Sequence, residues 1–512
     1  MDDLKLLSEG LRELATELGP IAQAEHAPLW LALDQGGHAS RALVFDSSGR
    51  QVAQAFAPIF TQCTGTDRVE HDPLEIVQSL RTVIDDVVQS LGKDVDRLQA
   101  AGLATQRSSI VCWDAHSGQP LSPVLSWQDR RNAALVAQLQ PHREAIQRLT
   151  GLVLSPHYGA SKLRWCLDEL PAVQQAQRAG QLHCGPLATY LLQALLVERP
   201  HLVDPANASR TQLWSPASND WADDLLQWFG VPRACLPRPV TTQHAYGHLA
   251  VGTHQVPLRA CTGDQAAVPF ANGALDRDCI YINLGTGAFA LAPLTQDIEQ
   301  AAPLLRSVLY SDAMATLFAL EGTVNGAAGA LHWLGERSGI DVQRTTQVLQ
   351  RQQAADQAIP LFINGIGGVG SPYWLPQLES HFVAPDGTSS ADNDTTQLIA
   401  VIESIAFLLA DNIELMRRRL PSLACIVVGG GLSSCRYLCE CIADLSQLPV
   451  TRLGERELTA RGLAYLVAAQ PQTWLGDAQL TQFPSQHNPA LIDRQSLWRG
   501  HMTALRSVSD IF

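Results

Sequence analysis

Apolar and polar positions alternate in two rhythms along this chain. Near residue 29 the run LWLALDQG is apolar without a break up to Asp34, as expected of a strand covered on both faces. RALVFDSSGRQVAQAFA then predicts two more strands joined at the Ser47-Ser48-Gly49 turn. Residues 73 to 92 change to a helical period, and RLQAAGLATQRSSIVCWD predicts two further strands around a polar break.

The same opening recurs in the second half as CIYINLGTGAFALAPL, a strand pair interrupted by Gly285-Thr286-Gly287, much as the first pair is interrupted by Asp34-Gln35-Gly36-Gly37. Two copies of strand, glycine turn and strand suggest two related domains, each offering backbone N–H groups to a phosphate between them. The boundary is expected near residue 273, giving domains over 29–273 and 274–512. TQLIAVIESIAFLLADNIELMRRRL predicts a long amphipathic helix with Arg417, Arg418 and Arg419 at a solvated end. ACIVVGGGLSSCRYLCECIADLSQLPV reads as strand, turn and helix, with Gly429, Gly430 and Gly431 at the helix N-terminus. Ahead of the first strand, Leu4, Leu7, Leu11, Leu14 and Leu18 would share one face of a helix, so residues 1–28 read as a helical extension docked on the body or at a subunit contact.

Composition narrows the function. With 512 residues, 46% apolar and 17% charged, the chain is a globular protein too long for one core. Its formal charge of -14 and scattered basic residues argue against nucleic acid as a partner. No run of about 18 apolar residues offers a membrane span. The first residues carry acids where a secretory leader would carry bases, so a cytoplasmic protein is expected. The 11 cysteines lack paired spacing and read as buried thiols without a disulfide framework; Cys435, Cys439 and Cys441 read as core rather than metal ligands.

Glycine turns and a few acids are what phosphoryl transfer asks of a protein: phosphates held by backbone N–H groups and a cation, and a carboxylate beside the acceptor hydroxyl. Neither a Walker motif nor the protein-kinase loop set is present. Asp264, in ACTGDQAAVPFANG, follows a strand and a glycine, where it could cap a helix or face a cleft. Asp34 ends a buried strand, where an acid must be paired or solvated, or face a metal. Arg107 could clamp substrate oxygens or pair with an acid, and its spacing does not decide between them.

These residues lie within an ordered set of stretches, among them LALDQGGHASRALVFD, VEHDP, ATQRSSIVCWD, SWQDRR, SPHYGASKLRWCLDEL, NASRTQLW, TGDQAA, NLGTGAF, GSPYW, VGGGLSS and ELTARGLAYL. From about residue 29 to the C-terminus the chain thereby resembles the FGGY family of carbohydrate kinases, most closely its glycerol-phosphorylating members. The resemblance implies an α/β protein of two ribonuclease H-like (actin-like) domains, with ATP and Mg2+ bound in the cleft between them. It implies Asp264 as the general base, Arg107 and Gln265 on substrate oxygens, and Trp127 on the substrate pocket. It also implies Asp34 near Mg2+, the Gly36 turn and the Gly285-Thr286-Gly287 turn at the phosphates, and Gly430 and Gly431 beside the adenosine. Family members are often dimers or tetramers, which leaves homo-oligomerisation open.

Three departures bear on this picture. Glycerol-phosphorylating members have Arg-Glu where this chain has Arg107-Ser108, and Asp-Pro-Tyr-Phe where it has Ser155-Pro156-His157-Tyr158, so Ser108 and His157 stand at substrate-binding positions with altered chemistry. The first phosphate turn reads Gly36-Gly37-His38-Ala39-Ser40 in place of Gly-Thr-Thr or Gly-Thr-Ser, which removes a hydroxyl donor. The leading expectation is an ATP-dependent kinase for a hydroxyl of a sugar or polyol, with glycerol itself in doubt as the substrate. The alternative is a catalytically weak relative acting as a ligand-binding sensor or regulator; an actin-like or chaperone-type ATPase fits less well, because it would need no polyol pocket.

Overall fold

The computed structural model describes residues 27–509 apart from 66, 297, 299–300, 343–345, 347–348, 350–358, 385–393, 455–456 and 475–478. The leucine-patterned helix expected within 1–28 therefore lies outside the described residues. The first apolar runs form three antiparallel strands, β1 (Leu29–Gln35), β2 (Ala39–Phe45) and β3 (Gln51–Pro58). They continue into β4 (Leu98–Thr105), β5 (Gln243–Val251) and β6 (His254–Gly263) in the order β5-β6-β4-β1-β2-β3, with β1, β4 and β6 parallel.

The second sheet repeats the plan. Its strands are β7 (Cys279–Leu284), β8 (Ala288–Pro293), β9 (Leu305–Ser311), β10 (Thr316–Val324), β11 (Cys425–Gly429), β12 (Val450–Arg452) and β13 (Thr481–Phe483), in the order β9-β10-β8-β7-β11-β12-β13. Here β7, β11 and β12 are parallel, while β8 and β10 pair antiparallel on the other side of β7. Each sheet thus opens with an antiparallel hairpin, β1-β2 or β7-β8, whose first strand also starts a parallel run, which is the repeat the two glycine-interrupted strand pairs suggest; the third antiparallel strand is the next in sequence, β3, in the first sheet, but is β10 in the second, with β9 outside it.

The helices that matter for the site are α1 (Pro73–Leu91), α2 (Gly159–Glu169), α3 (Asp264–Ala267), α4 (Ala328–Ser338), α5 (Asp394–Arg419), α6 (Arg436–Ser446) and α7 (Leu458–Val467). Asp72 caps α1 by accepting from the Leu74 N–H, and Pro73 opens its first turn. Ile76, Leu80, Val83 and Val87 then pack beneath Leu29, Leu31 and Leu33 of β1. Because side chains alternate along a strand, Ala32 and Asp34 point the other way, towards the second sheet.

That middle layer is made of small residues and α7. Ala32, Ala100, Ala104 and Ala260 meet Tyr281 and Leu291 of the second sheet together with Ala460, Leu463, Ala464 and Val467 of α7. A Cβ on Gly102 would stand 2.5 Å from Val467 Cγ2, and one on Gly462 would stand 2.0 Å from the Ala267 carbonyl oxygen, so both glycines are required for α7 to lie this close.

Four details differ from the sequence reading. Gly430 has φ 85°, and Gly431 begins a 3-10 turn (Gly431–Ser434), so the glycines precede a tight turn and α6 starts only at Arg436. Cys279 and Cys425 stand opposite each other on β7 and β11 and are joined by a disulfide across a sequence separation of 146, a pairing that spacing cannot reveal. Cys63 is an exposed thiol and the remaining cysteines, Cys435, Cys439 and Cys441 included, are buried in the core. Arg417 and Arg418 are exposed as expected, whereas the half-buried Arg419 donates to the carbonyls of Ala301 and Ala302. Among the described residues no helix is long and apolar enough to cross a membrane.

Candidate active site

Three parallel strands of the first sheet end at one edge, and charged residues stand at or just beyond their C-termini: Asp34 on β1, Arg107 after β4 and Asp264 after β6. Register brings them together, since Asp34 pairs with Ala104, and Gly263 with Thr105. Gly263 is needed at this corner because a Cβ there would lie 2.5 Å from Arg107 Cγ. Open α/β sheets hold ligands beyond the carboxyl ends of their strands, and this edge borders a cavity of about 210 Å³ facing the second sheet.

Asp264 is the first residue of α3, and its Oδ1 accepts from the Gln265 N–H at 2.7 Å. It does not cap the helix in the usual way, and its side chain remains 23% exposed towards the cavity, with Oδ1 3.8 Å from Arg107 Nε. Desolvation holds its carboxyl above the usual range, opposed mainly by the Arg107 charge. Asp34 is buried and pairs with Arg41 at 3.3 Å. Burial lifts it to about 7 despite Arg41, with the charges of Asp264 and Glu457 adding to the rise.

Across the cavity, Glu321 on β10 receives Arg107 in a two-point contact (Nη1 to Oε2 2.9 Å, Nη2 to Oε1 3.3 Å), together with Arg210 Nη2 and the Ser307 hydroxyl at 2.8 Å. Glu321 is fully buried. Desolvation would raise it, but the two guanidinium groups prevail and hold it near 2. Gln265 bridges the sheets as well, accepting from Asn283 Nδ2 at 3.0 Å. His157 Nδ1 lies 3.2 Å from the Trp127 carbonyl. A carbonyl can only accept, so Nδ1 carries the proton and Nε2 is left as an acceptor on a residue of the cavity wall. Burial lowers the imidazole to about 4, so it stays neutral.

The other lining is main chain. The Gly36 N–H closes the first turn on the Ala39 carbonyl at 2.9 Å, and the Gly285 N–H closes the second on the Gly287 carbonyl at 2.9 Å. The second turn is seated on the start of α4, whose Ala328 and Gly329 N–H groups bond the carbonyls of Gly285 and Thr286.

Residues 29–280 match the model of the FGGY family of carbohydrate kinases, N-terminal domain, and residues 280–470 match that of its C-terminal domain. The chain belongs to the FGGY family of carbohydrate kinases. Its relatives include the glycerol kinase of Rhodospirillum rubrum, 32% identical over 495 residues covering 94% of this chain and 99% of that protein. The glycerol kinase of Trichlorobacter lovleyi is 34% identical over 464 residues, covering 88% of this chain and 92% of the relative. Among solved structures, Plasmodium falciparum glycerol kinase with ADP superposes with TM-score 0.81 at 21% identity, covering 93% and 98% of the two chains. The xylulose kinase of Rhodospirillum rubrum superposes with TM-score 0.77 at 18% identity, covering 94% and 98%. The fold is accordingly that of the actin-like, two-domain FGGY kinases, and the protein is a carbohydrate or polyol kinase of glycerol-kinase-like type. FGGY kinases use ATP, generally with Mg2+.

In this FGGY kinase Arg107, Ser108, Trp127, His157, Asp264 and Gln265 all line the cavity, as do Gly37, His38, Gly285, Thr286 and Gly287. Gly36 closes its turn behind Gly37, and Asp34 sits at the strand end within electrostatic reach of Asp264. Gly430 and Gly431 do not line the cavity; Gly430 presses on the second sheet, where a Cβ would stand 2.5 Å from Asn283 Oδ1. Sequence reasoning assigned no role to Glu321, Arg210, Tyr158, Phe289 or Trp374, which also form the wall. For Glu321 there was a signal: one acid within the apolar strand TLFALEGTV must be paired or functional.

Proposed function

We propose that this kinase transfers the γ-phosphoryl group of ATP to a hydroxyl of a small polyol or sugar, with Asp264 as general base. The observation that carries the reading is the partly exposed Asp264 carboxylate, 3.8 Å from Arg107, in a cavity that also contains the Gly285-Thr286-Gly287 turn. As the acceptor oxygen attacks the γ-phosphorus, Asp264 takes its proton; the bond to the bridging oxygen breaks and its electron pair leaves with ADP. Arg107, held by Glu321, orients the acceptor and supports the charge that develops. The backbone of the Gly36-Gly37-His38 and Gly285-Thr286-Gly287 turns binds the phosphates, and Gly430 and Gly431 border the adenosine in the first domain's partner, residues 274–512.

A divalent cation suits the residues present. Asp34 is a buried carboxylate whose ionisation is opposed by its surroundings and only partly offset by Arg41, so a metal beside it supplies the missing positive charge. Asp34 would hold Mg2+, whose chemistry is to neutralise charge on the phosphates. On the acceptor side, Ser108 replaces an acid and His157 offers a neutral acceptor, which favours an acceptor other than glycerol carrying a hydroxyl donor towards His157.

The test is ADP release from Mg-ATP with glycerol, erythritol, pentitols, xylulose, ribulose and other ketoses, with Asp264→Asn as the blank. Acceptor-dependent turnover that the variant lacks supports the reading. Nucleotide binding without turnover on any of them would favour a ligand-binding sensor.

A further inference from the structure

Lys162, on the first turns of α2, is fully buried, and the catalytic reading gives it no task. Its Nζ donates to the Ser108 carbonyl at 2.9 Å and to the Ser126 carbonyl at 2.7 Å. These carbonyls belong to the two segments that carry the acceptor wall: Ser108 follows Arg107, and Ser126 precedes Trp127. A second brace crosses the same gap, because the Ser109 hydroxyl accepts from the Trp127 N–H at 3.0 Å while donating to Gln106 Oε1 at 2.8 Å.

Two features make this more than core filling. Ser108 has φ 65°, a left-handed conformation unfavourable for a serine that persists where its surroundings impose it. A buried ammonium is also an expensive way to fill a core, and burial lowers Lys162 to about 7 even with the Asp129 charge opposing. Both costs fall on a cross-link between the Arg107-Ser108 turn and the Trp127 segment.

We propose that Lys162 is a positioning residue: by clamping the Ser108 and Ser126 carbonyls it sets the placement of Arg107 and Trp127, and with them the fit of the acceptor. It rests on the reading of this cavity as the acceptor site, but its effect on the chain is separable from that reading. Lys162 is not itself part of the cavity wall.

The experiment replaces Lys162 with Met, similar in length and without donors, and with Gln, which keeps two N–H donors on a shorter arm. Steady-state kinetics use Mg-ATP and the best acceptor among glycerol, erythritol and D-xylulose. Hydrogen exchange is followed over residues 106–109 and 126–128 and over the Gly285–Gly287 turn. For Lys162→Met the acceptor KM rises at least about tenfold while the ATP KM stays within about threefold, and Lys162→Gln falls between it and the parent. Exchange accelerates at 106–109 and 126–128 and not at 285–287. If Lys162→Met fails to fold, Lys162→Gln alone must show the same split and the same local exchange. Equal changes in both KM values, or exchange unchanged in the two clamped segments, overturns the proposal. Should no acceptor turn over, the exchange pattern still decides on the clamp, while the catalytic reading fails by itself.

Discussion

Around Arg107 the cleft is built from side chains, and around Gly36 and Gly285 it is built from main chain. The first lining holds its shape through a buried charge network in which two arginines converge on Glu321, each element depending on partners far away in sequence. The second holds its shape locally, each turn closed by one hydrogen bond between residues two or three apart. A lining of side chains can be altered one residue at a time, whereas a backbone cradle tolerates changes of side chain provided that the turn survives. In the proposed function, phosphate, common to every substrate pair of such a kinase, falls to the cradle, and the acceptor to the side chains.

The largest effect that tests this division is expected at Asp264. Asp264→Asn keeps the Oδ1 that accepts from Gln265, so the fold and the ATP KM should persist while kcat falls by about 10²–10⁴-fold. Near-normal turnover would remove Asp264 from the role of base. Next comes Glu321→Gln, which removes the buried counter-charge of Arg210 and leaves Arg107 only its 3.8 Å contact with Asp264; a loss of about 3–5 kcal/mol in urea melts is expected, and a loss below about 1 kcal/mol would mean that the network is dispensable.

The two turns provide an internal control. A Cβ on Gly287 would lie 3.0 Å from the Val324 carbonyl oxygen and 3.2 Å from that of Asn325, both backbone atoms, whereas one on Gly37 would meet only Trp127 Nε1 at 3.8 Å. Gly287→Ala should therefore displace its turn and raise the ATP KM about tenfold, and Gly37→Ala should leave it within about threefold. The reverse ranking would show that the first turn, despite its departures, dominates phosphate binding.

The same contrast explains what the sequence makes legible. Both strand-turn-strand units, α1 and the long helix α5 follow from local rhythm, since their apolar positions and glycines act on near neighbours. Asp34 can be picked out because it ends an apolar run two residues before Gly36, and Asp264 because it follows a strand and Gly263. Arg107 and Glu321 each stand out as single charges, but their pairing does not, because they lie 214 residues apart and meet only once the two sheets face each other. The Cys279–Cys425 disulfide was missed for the same reason. The helix expected directly after Gly431 failed more locally: a 3-10 turn intervened before Arg436, and glycine spacing does not distinguish the two.

Asp34 lies where the two linings meet, and its ionisation gives the smallest but most diagnostic effect. Its folded value of about 7 lies above the unfolded 3.8, so the unfolded chain releases the proton first. The stability it contributes is complete below about pH 4 and is lost as pH rises towards 7. Glu321 has the opposite sign: held near 2 against an ordinary 4.5, it stabilises above about 4.5 and loses that contribution as pH falls towards 2. Asp34→Asn should accordingly melt several degrees above the parent at pH 8 in EDTA, with the difference vanishing near pH 4. Adding Mg2+ at pH 8 should raise the parent's melting temperature and leave the variant's unchanged, because the variant lacks the carboxylate whose charge the metal would offset. Equal Mg2+ stabilisation of both would place the cation elsewhere, and would leave Asp34 as a partner of Arg41 alone.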